Sequence, residues 1–324
     1  MDSRQLYVAR PREVSTRRFG RGLVRHLFAL AMLAGAASSG LAAPGDEAVV
    51  EQVQWPAWVE TAGGRAPVRA GQILGVKDRL LTGDKARMVI RLADGSAVKL
   101  GERTELSIAA LGEREVGVLT AGLEVTKGAF RFTTGLFRQI LGKREVNVRF
   151  PTLTIGVRGT DFWGKTDESR ELVLLIEGTI ALTRPPGATG RNEDKAADEE
   201  RHLAVPMNYL FSDRRGPLQE RTASAQELAR WAMETEPDEA QPSASPQGKF
   251  TATIAGALTR PRADATVAHL RAMGYPVDVA AFAPAVDPSS GEARKRYAVV
   301  LARLGSAEAA KVMRQTLRNA LLKR

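Results

Sequence analysis

The feature that most limits the fold of this chain is a succession of short alternating segments across residues 49–213. Residues 87–92 and 97–100, for example, are mostly apolar and flank the sequence Asp94-Gly95. An Asp-Gly pair between two such segments is a strong signal for a β-hairpin. Many short strands, spaced about 8–12 residues apart, predict a mostly-β domain that is either a sandwich or a β-solenoid.

Residues 150–163 are the most regular part of this β region. Apolar residues occupy every second position near its start: Leu153, Ile155 and Val157. That alternation is typical of a strand with one buried face. Gly156 and Gly159 interrupt it, and isolated glycines in a strand predict a tight backbone path. Arg158 lies just before Gly159, and we expect its guanidinium to satisfy nearby carbonyl oxygens.

The first 43 residues have the pattern of an export signal. A basic stretch that ends at Arg25-His26 is followed by the apolar residues 27–37 and by small residues up to Ala43. The apolar run is short for a membrane span. We therefore expect a signal peptide over residues 1–43, no stable membrane span after its cleavage, and a protein exported across the bacterial inner membrane to the periplasm. A signal retained as an anchor is the alternative.

Much of the basic excess of the chain lies in that signal. The chain has 47 Lys and Arg against 37 Asp and Glu. Seven of the basic and two of the acidic residues precede residue 44, which leaves 40 against 35 in the remainder. An excess this small gives no reason to expect a nucleic-acid partner. The absence of cysteine excludes disulfides, thiolate metal sites and a cysteine-linked lipid anchor.

Composition divides the rest of the chain into four parts. Residues 44–213 form the β domain, in which the polar and unpatterned residues 184–201 predict a disordered loop. Residues 214–235 contain a short helix. Residues 236–248 are acidic and rich in Pro and Ser, which predicts a disordered linker. Residues 249–324 follow as a separate small domain.

This last domain has the predicted order strand, helix, strand, strand, helix. The segments with the corresponding periodicities are residues 250–255, 263–273, 277–282, 296–301 and 307–322. The order β-α-β-β-α predicts a small α+β domain of the ferredoxin-like or RNP-like type, with both helices on one face of an antiparallel sheet.

The β domain resembles the FecR family of bacterial periplasmic proteins. The resemblance covers roughly residues 56–183 and lies in short motifs in the family's order, at residues 67–74, 78–83, 92–96, 123–132, 154–162 and 177–178. They include Leu-Ala-Asp-Gly-Ser at residues 92–96 and Gly-Val-Arg-Gly-Thr at residues 156–160. The resemblance implies structural roles for the signature residues Asp94, Gly95, Gly156, Arg158, Gly159 and Thr160.

The C-terminal domain resembles the SPOR (sporulation-related repeat) family, which binds the glycan strands of septal peptidoglycan. The resemblance lies at residues 254–258, 268–275, 296–299 and 306–310. The chain departs from the family pattern at residues 252–258, which lack its glutamine and aromatic residue, and at residues 302–304. The candidate peptidoglycan-binding residues, on or beside the strands, are Thr251, Thr253, Arg294, Arg296, Tyr297 and Arg303.

No catalytic or metal-binding set is visible in the sequence. The three histidines, His26, His202 and His269, are far apart, and no phosphate loop or nucleophile motif occurs. We therefore expect no enzyme activity, no cofactor and no metal. One basic series stands out, consisting of Lys127, Arg131, Arg138, Lys143, Arg144, Arg149 and Arg158. It could meet an acidic partner if several members share a face, but solvated positions on separate strands are the simpler interpretation.

The sequence thus predicts a non-catalytic protein of the cell envelope. A FecR-like binding or scaffold domain is tethered to peptidoglycan glycan strands by a SPOR-like domain, and envelope proteins are further candidate partners. The alternatives are a FecR-type transmembrane signal transducer that regulates a sigma factor, and a protein–protein scaffold that binds no glycan.

Overall fold

The computed structural model describes residues 48–115, 118–135, 143–185, 199–286 and 293–322. The predicted signal over residues 1–43 lies outside them. Within the described residues, the elements in chain order are β1 (Ala48–Gln54), β2 (Ala57–Thr61), β3 (Gly64–Pro67), β4 (Ile73–Leu74), β5 (Arg79–Thr82), β6 (Arg87–Leu92), β7 (Ala97–Leu100), β8 (Glu105–Glu115), β9 (Val118–Thr133), β10 (Lys143–Arg149), β11 (Thr154–Val157), β12 (Asp161–Thr166), β13 (Glu171–Glu177), β14 (Ile180–Arg184), β15 (Glu199–Leu203), β16 (Asn208–Ser212), β17 (Gln219–Thr222), α1 (Ala225–Met233), β18 (Phe250–Leu258), α2 (Arg260–Ala272), β19 (Asp278–Val286), β20 (Ala293–Leu304) and α3 (Ala307–Leu322).

Strands β1–β17, here called the β region, form one hydrogen-bonded network that divides into two sheets at β9. The first sheet has the order β4-β1-β6-β7-β9-β12-β13-β16-β17 and uses the C-terminal part of β9. The second sheet has the order β3-β2-β5-β8-β9-β10-β11-β14-β15 and uses the N-terminal part. Every described pair is antiparallel except β9–β10, which is parallel. The prediction of a mostly-β domain is confirmed.

Strand β9 passes from one sheet to the other at Gly128. This residue has a φ of 93°, in the region that favours glycine. A Cβ at this position would also stand 2.5 Å from the Cα of Thr104. The same Thr104 is buried, and its Oγ1 donates to the carbonyl of Ala129 and accepts from the Ala129 amide. The crossing point is therefore fixed both by backbone conformation and by a hydrogen-bonded neighbour.

Aromatic side chains pack on the inner side of the first sheet. Phe130 meets Phe162 edge to face at a ring distance of 5.4 Å, and Phe132 stacks on Phe162 at 5.9 Å. The ring of Phe150 approaches Phe130 from the second sheet at 5.6 Å. Each of these rings is buried, and such pairs stabilise a core by about 0.5–1.5 kcal/mol beyond the burial of their area.

Two predicted boundaries in the β region differ from the structure. The loop expected over residues 184–201 is shorter, because Arg184 ends β14 and Glu199–Leu203 forms β15 along it. Residues 186–198 lie outside the described residues. The β region also extends beyond residue 213, since Gln219–Thr222 forms the edge strand β17. Both strands are mostly polar and exposed, as is typical of sheet edges, and their composition therefore suggested loops.

The linker expected to be disordered over residues 236–248 is ordered and hydrogen-bonded to both flanking parts. Ala244 exchanges two backbone hydrogen bonds of 3.0 Å with Val53 of β1 and forms a bridge to Leu304 of β20 on its other side. The buried side-chain amide of Gln54 donates to the carbonyl of Asp238 at 2.6 Å and accepts from its amide at 3.0 Å. The Pro- and Ser-rich composition concealed this role, because the contacts are made mainly by the linker backbone.

Residues 250–322, here called the C-terminal unit, have the predicted order β-α-β-β-α. Strand β20 lies between β18 and β19 in an antiparallel sheet. Both helices bury apolar residues in the same cluster as the inward residues of this sheet, which places them on one face: Ala263, Val267 and Leu270 from α2, Met313 and Leu317 from α3, and Ala252, Ile254, Val299 and Leu301 from the strands.

Candidate functional site

The face of the C-terminal sheet opposite the helices carries three of the six candidate glycan-binding residues. Ala252 and Ile254 of β18 are buried towards the helices, so Thr251 and Thr253, which alternate with them, lie on the other face. Arg296 of β20 lies opposite Phe282 of β19 in the strand pairing and shares this face with it. We call this side of the sheet, around Phe282 and Arg296, the open face.

Phe282 is the aromatic residue of the open face, and it was not among the residues expected from the sequence. Its ring lies over Gly256, where a Cβ would stand 3.0 Å from a ring carbon. The side chain is still 42% exposed. Arg296 has a buried Nε without a hydrogen-bond partner among the described residues. An exposed ring next to a guanidinium is suited to a ligand that offers both an apolar surface and oxygen atoms.

The other three candidate residues do not join this site. Tyr297 lies on the helix side of the sheet, where the guanidinium of Arg260 is 5.5 Å from its ring. Arg303 is directed to the β region and donates from Nη1 to the carbonyl of Ala70 at 2.9 Å. The backbone of Arg294 belongs to β20, and its side chain is outside the described residues. Sequence position alone could not separate these faces, because β18–β20 contains bulges that shift the alternation.

The signature segment of the β region is held together by backbone and threonine contacts. Thr160 is buried; its amide donates to Thr134 Oγ1 at 2.9 Å, and its carbonyl accepts from the amide and hydroxyl of Thr134 at 3.1 and 2.9 Å. Gly159 has a φ of 72° and Gly178 a φ of 86°. A Cβ on Gly178 would stand 2.5 Å from the Gly159 carbonyl oxygen, so the two turns meet where side chains would not fit.

Asp94 and Gly95 form the predicted turn between β6 and β7. Gly95 has a φ of 78°, and its amide donates to the Leu92 carbonyl at 2.9 Å. The carboxylate of Asp94 accepts from the amide and the hydroxyl of Ser96, at 2.9 and 2.8 Å. Ser96 Oγ in turn accepts from the amide of Gly135 at 3.1 Å, which links this turn to the end of β9.

Two signature residues do not have the roles expected of them. Arg158 is exposed, and among the described residues no carbonyl accepts a hydrogen bond from it. Gly156 lies in β11, and a Cβ there would be 3.9 Å from its nearest neighbour, so packing does not require a glycine. The tight backbone path is limited to Gly159, because the positive φ occurs there and not at Gly156.

This part of the chain matches a known protein family. The FecR protein family model matches residues 78–181. This stretch is a FecR domain. No curated protein sequence matches the chain. Two crystal structures of a putative anti-sigma factor from Parabacteroides distasonis align at 16% and 17% identity, with TM-scores of 0.35 and 0.36. The alignments cover 48% of this chain and 64% and 63% of those chains, which is less than two thirds of their length.

A second surface of the FecR domain is covered by α1 and the residues after it. Trp231 of α1 stacks on the buried Trp163 at a ring distance of 5.4 Å and an interplanar angle of 4°. Beyond the helix, Glu236 accepts from Lys99 Nζ at 2.6 Å and from Arg131 Nη1 at 2.8 Å. The helix begins at a capping box formed by Ser224 and Glu227. The sequence predicts the helix but not the surface that it covers.

The described residues of the basic series are distributed over both sheets of the β region. Arg131 lies in the first sheet and forms a bidentate ion pair with Asp161, at 2.8 and 2.6 Å. Arg149 lies in β10 of the second sheet and is exposed, as are Lys127 and Arg158. The other members of the series, Arg138, Lys143 and Arg144, have side chains outside the described residues.

The FecR domain also contains a buried carboxylate, Glu171. It accepts from the amide of Thr152 at 3.0 Å and from the Thr152 hydroxyl, and Arg214 Nε is 3.8 Å away. Burial raises the pKa of Glu171 above its ordinary value, against the lowering by Thr152 and the nearby Arg214 and Arg184. In the described part of the chain, no three acidic or histidine side chains are grouped as a metal site would need.

Proposed function

We propose that this protein is a non-catalytic FecR-type signal transducer of the bacterial cell envelope. Its FecR domain lies on the periplasmic side and regulates a sigma factor through residues on the other side of the membrane. The single observation that carries the proposal is the FecR domain at residues 78–181. In this proposal, the two sheets of the β region are the two halves of a β-sandwich.

The segment that precedes the described structure supplies the anchor in this proposal. Residues 27–43 carry no charge, and a span of about 17–25 residues suffices to cross a bilayer as a helix. The basic residues before it suit the cytoplasmic side. Among the helices of the described residues, none has the length and apolar character of a membrane span.

A topology experiment tests the transducer. The chain is expressed with one epitope tag before residue 1 and another after residue 324. We expect both tags on one membrane-bound chain, with only the C-terminal tag open to protease in spheroplasts. A soluble periplasmic chain that begins near Pro44 and has lost the first tag would rule out the transducer.

A control variant separates transport from signalling. Residues 1–43 are replaced by an ordinary cleavable signal, so that the same domains reach the periplasm. We expect this variant to lose the transcriptional response that the full chain gives in a genome-wide transcript comparison with a deletion strain. An equal response from the variant and the full chain would contradict regulation across the membrane.

The open face of the C-terminal unit supports a second candidate function, which is attachment to peptidoglycan by a SPOR-like domain. The supporting observation is the exposed ring of Phe282 beside Arg296, with Thr251 and Thr253 on the same face. A flat aromatic ring and hydrogen-bond donors are the groups with which proteins contact sugar rings.

Co-sedimentation of the full protein with purified sacculi, with and without amidase treatment, tests this candidate. We expect F282A and R296A each to weaken binding by about tenfold or more, since central contact residues contribute more than about 1 kcal/mol. The matched control is K311A on the exposed part of α3, which should leave binding unchanged. Equal sedimentation of all variants, or none of the unmodified protein, would refute attachment through the open face.

A further inference from the structure

A cleft of about 290 Å³ lies between the β region and the C-terminal unit. Trp55 and Pro276 contribute apolar walls to it, and Arg69, Gln72 and Arg303 contribute polar groups. Trp55 is buried and fixed in place, because its Nε1 donates to the carbonyl of Val68 at 2.8 Å. The residues that line the cleft are different from those named for the open face and for the surface under α1.

One of the two arginines of the cleft serves to hold its sides together. Arg69 binds the carboxylate of Asp278 through two hydrogen bonds of 2.7 and 2.8 Å. Asp278 also accepts from Arg271 of α2 at 2.6 Å, so side chains from β19, from α2 and from the segment between β3 and β4 meet beside the cleft. Hydrogen bonding from Arg69 lowers the pKa of Asp278. Arg69 is therefore already engaged by an acidic side chain, although Asp278 is shared with Arg271 and the three side chains together keep a net positive charge.

The second arginine of the cleft, Arg303, has no acidic partner among the described residues. Arg303 donates from Nη1 to the carbonyl of Ala70 at 2.9 Å and makes no ion pair with any described residue. Its φ is 63°, a left-handed conformation that is uncommon for a residue other than glycine. Strained backbone of this kind is concentrated at ligand clamps and active sites. A Cβ on Gly71 would stand 2.6 Å from Arg303 Nη1, so Gly71 leaves room for the guanidinium.

We propose that this cleft binds a small carboxylate that carries an apolar group, such as an N-acylated amino acid. The carboxylate pairs with Arg303, and the apolar group lies against Trp55 and Pro276. A guanidinium matches a carboxylate in a planar, two-bond geometry. A phosphate dianion fits less well, because the guanidinium of Arg69 is already engaged by Asp278 and Arg303 is the one arginine of the cleft lining without an acidic partner among the described residues. The volume is at the lower limit of about 300 Å³ for ligand pockets, which suits one small molecule.

Titration calorimetry on the full protein tests the site with a matched pair of probes, N-acetyl-leucine and its neutral amide, N-acetyl-leucinamide. We expect the acid to bind and the amide to bind at least about tenfold more weakly, as the loss of a charge-assisted pair requires. Inorganic phosphate is the third probe, and we expect weaker binding than that of the acid. No binding of the acid up to about 10 mM, where weak specific ligands still give a signal, would overturn the proposal.

Two variants locate the binding. R303M removes the charge, and A302F fills the cleft from a neighbouring position while keeping Arg303. We expect both to lose at least about tenfold in affinity for N-acetyl-leucine, and R314M, on the exposed part of α3, to bind as the unmodified protein does. If circular dichroism shows that R303M does not fold, the affinity of A302F for N-acetyl-leucine is the deciding measurement. Unchanged binding by A302F, or equal binding of acid and amide, would overturn the site.

Discussion

Replacing Glu171 with alanine is expected to lower the free energy of unfolding by about 3–5 kcal/mol, the usual cost of breaking a buried ion pair from one side. The side chain of Glu171 is fully buried, and that of Arg184 is 7% exposed. Glu171 forms the ion pair with Arg214 at 3.8 Å, whereas Arg184 pairs with Glu199 at 3.6 Å and acts on Glu171 through its charge. Its loss would also leave the amide and hydroxyl of Thr152 without their acceptor.

Urea unfolding followed by circular dichroism measures this effect. The matched control is E168A, which removes an exposed carboxylate from the turn just before β13 and should change stability by less than about 0.5 kcal/mol. A loss for E171A no larger than that for E168A would show that the buried network contributes nothing to stability.

The pH dependence of Glu171 gives a second readout with a definite sign. The pKa of Glu171 is raised in the folded protein, so the folded state holds its proton more tightly than the unfolded state does. The stabilisation that Glu171 gives the folded protein is therefore fully present below the pKa that this group has in the unfolded state. It is lost as the pH rises through the pKa of the folded state. Relative to E171Q, the unmodified protein should gain stability as the pH falls from about 7.5 towards about 4.5. A constant difference between the two proteins across that range would contradict the shift.

Replacing Trp163 with alanine is expected to cost about 3–5 kcal/mol, as large-to-small changes of buried aromatic residues do. Trp163 is fully buried between Leu174, Tyr209 and the stacked ring of Trp231. Its loss would leave a cavity beneath α1. One effect acts in the opposite direction. Trp163 Nε1 is a buried donor without a partner among the described residues, and its removal relieves the free-energy cost of burying an unpaired donor.

A double-mutant cycle tests whether the stacking itself contributes. W163A, W231A and the double variant should show a coupling of about 0.5–1.5 kcal/mol, the range measured for aromatic pairs. The control on the same helix is M233A, whose side chain is 66% exposed and should matter little. Additive effects of the two tryptophan substitutions would mean that the stacking of the rings adds nothing to stability beyond the separate burial of each ring.

Features with a local cause could be predicted from the sequence. The Asp94-Gly95 turn and the alternation in residues 153–157 are set within a few residues, and both occur in the structure. The order β-α-β-β-α of the C-terminal unit was also predictable, because each element has its own periodicity and its own end signal. The FecR motifs, which are spread over many turns, identified the domain that the family model matches.

Features with a long-range cause could not be predicted. The parallel pairing of β9 with β10 and the sharing of β9 by two sheets depend on partners that alternation does not specify. The positions of Tyr297 and Arg303 depend on bulges in β18 and on contact with Ala70, which lies more than 200 residues away in the chain. Two of the six candidate glycan-binding residues, Tyr297 and Arg303, therefore lie away from the open face.

The double bridge at Ala244 has a mechanical consequence. The residues around Ala244 form backbone hydrogen bonds with β1 on one side and with the end of β20 on the other. They therefore form a seam of hydrogen bonds between the β region and the sheet of the C-terminal unit. A pull on the C-terminal unit along this seam would load several of these bonds at once in shear, and the load would reach β1 and its neighbour β6 directly. Tension applied to the C-terminal unit would therefore be transmitted to the β region through these hydrogen bonds.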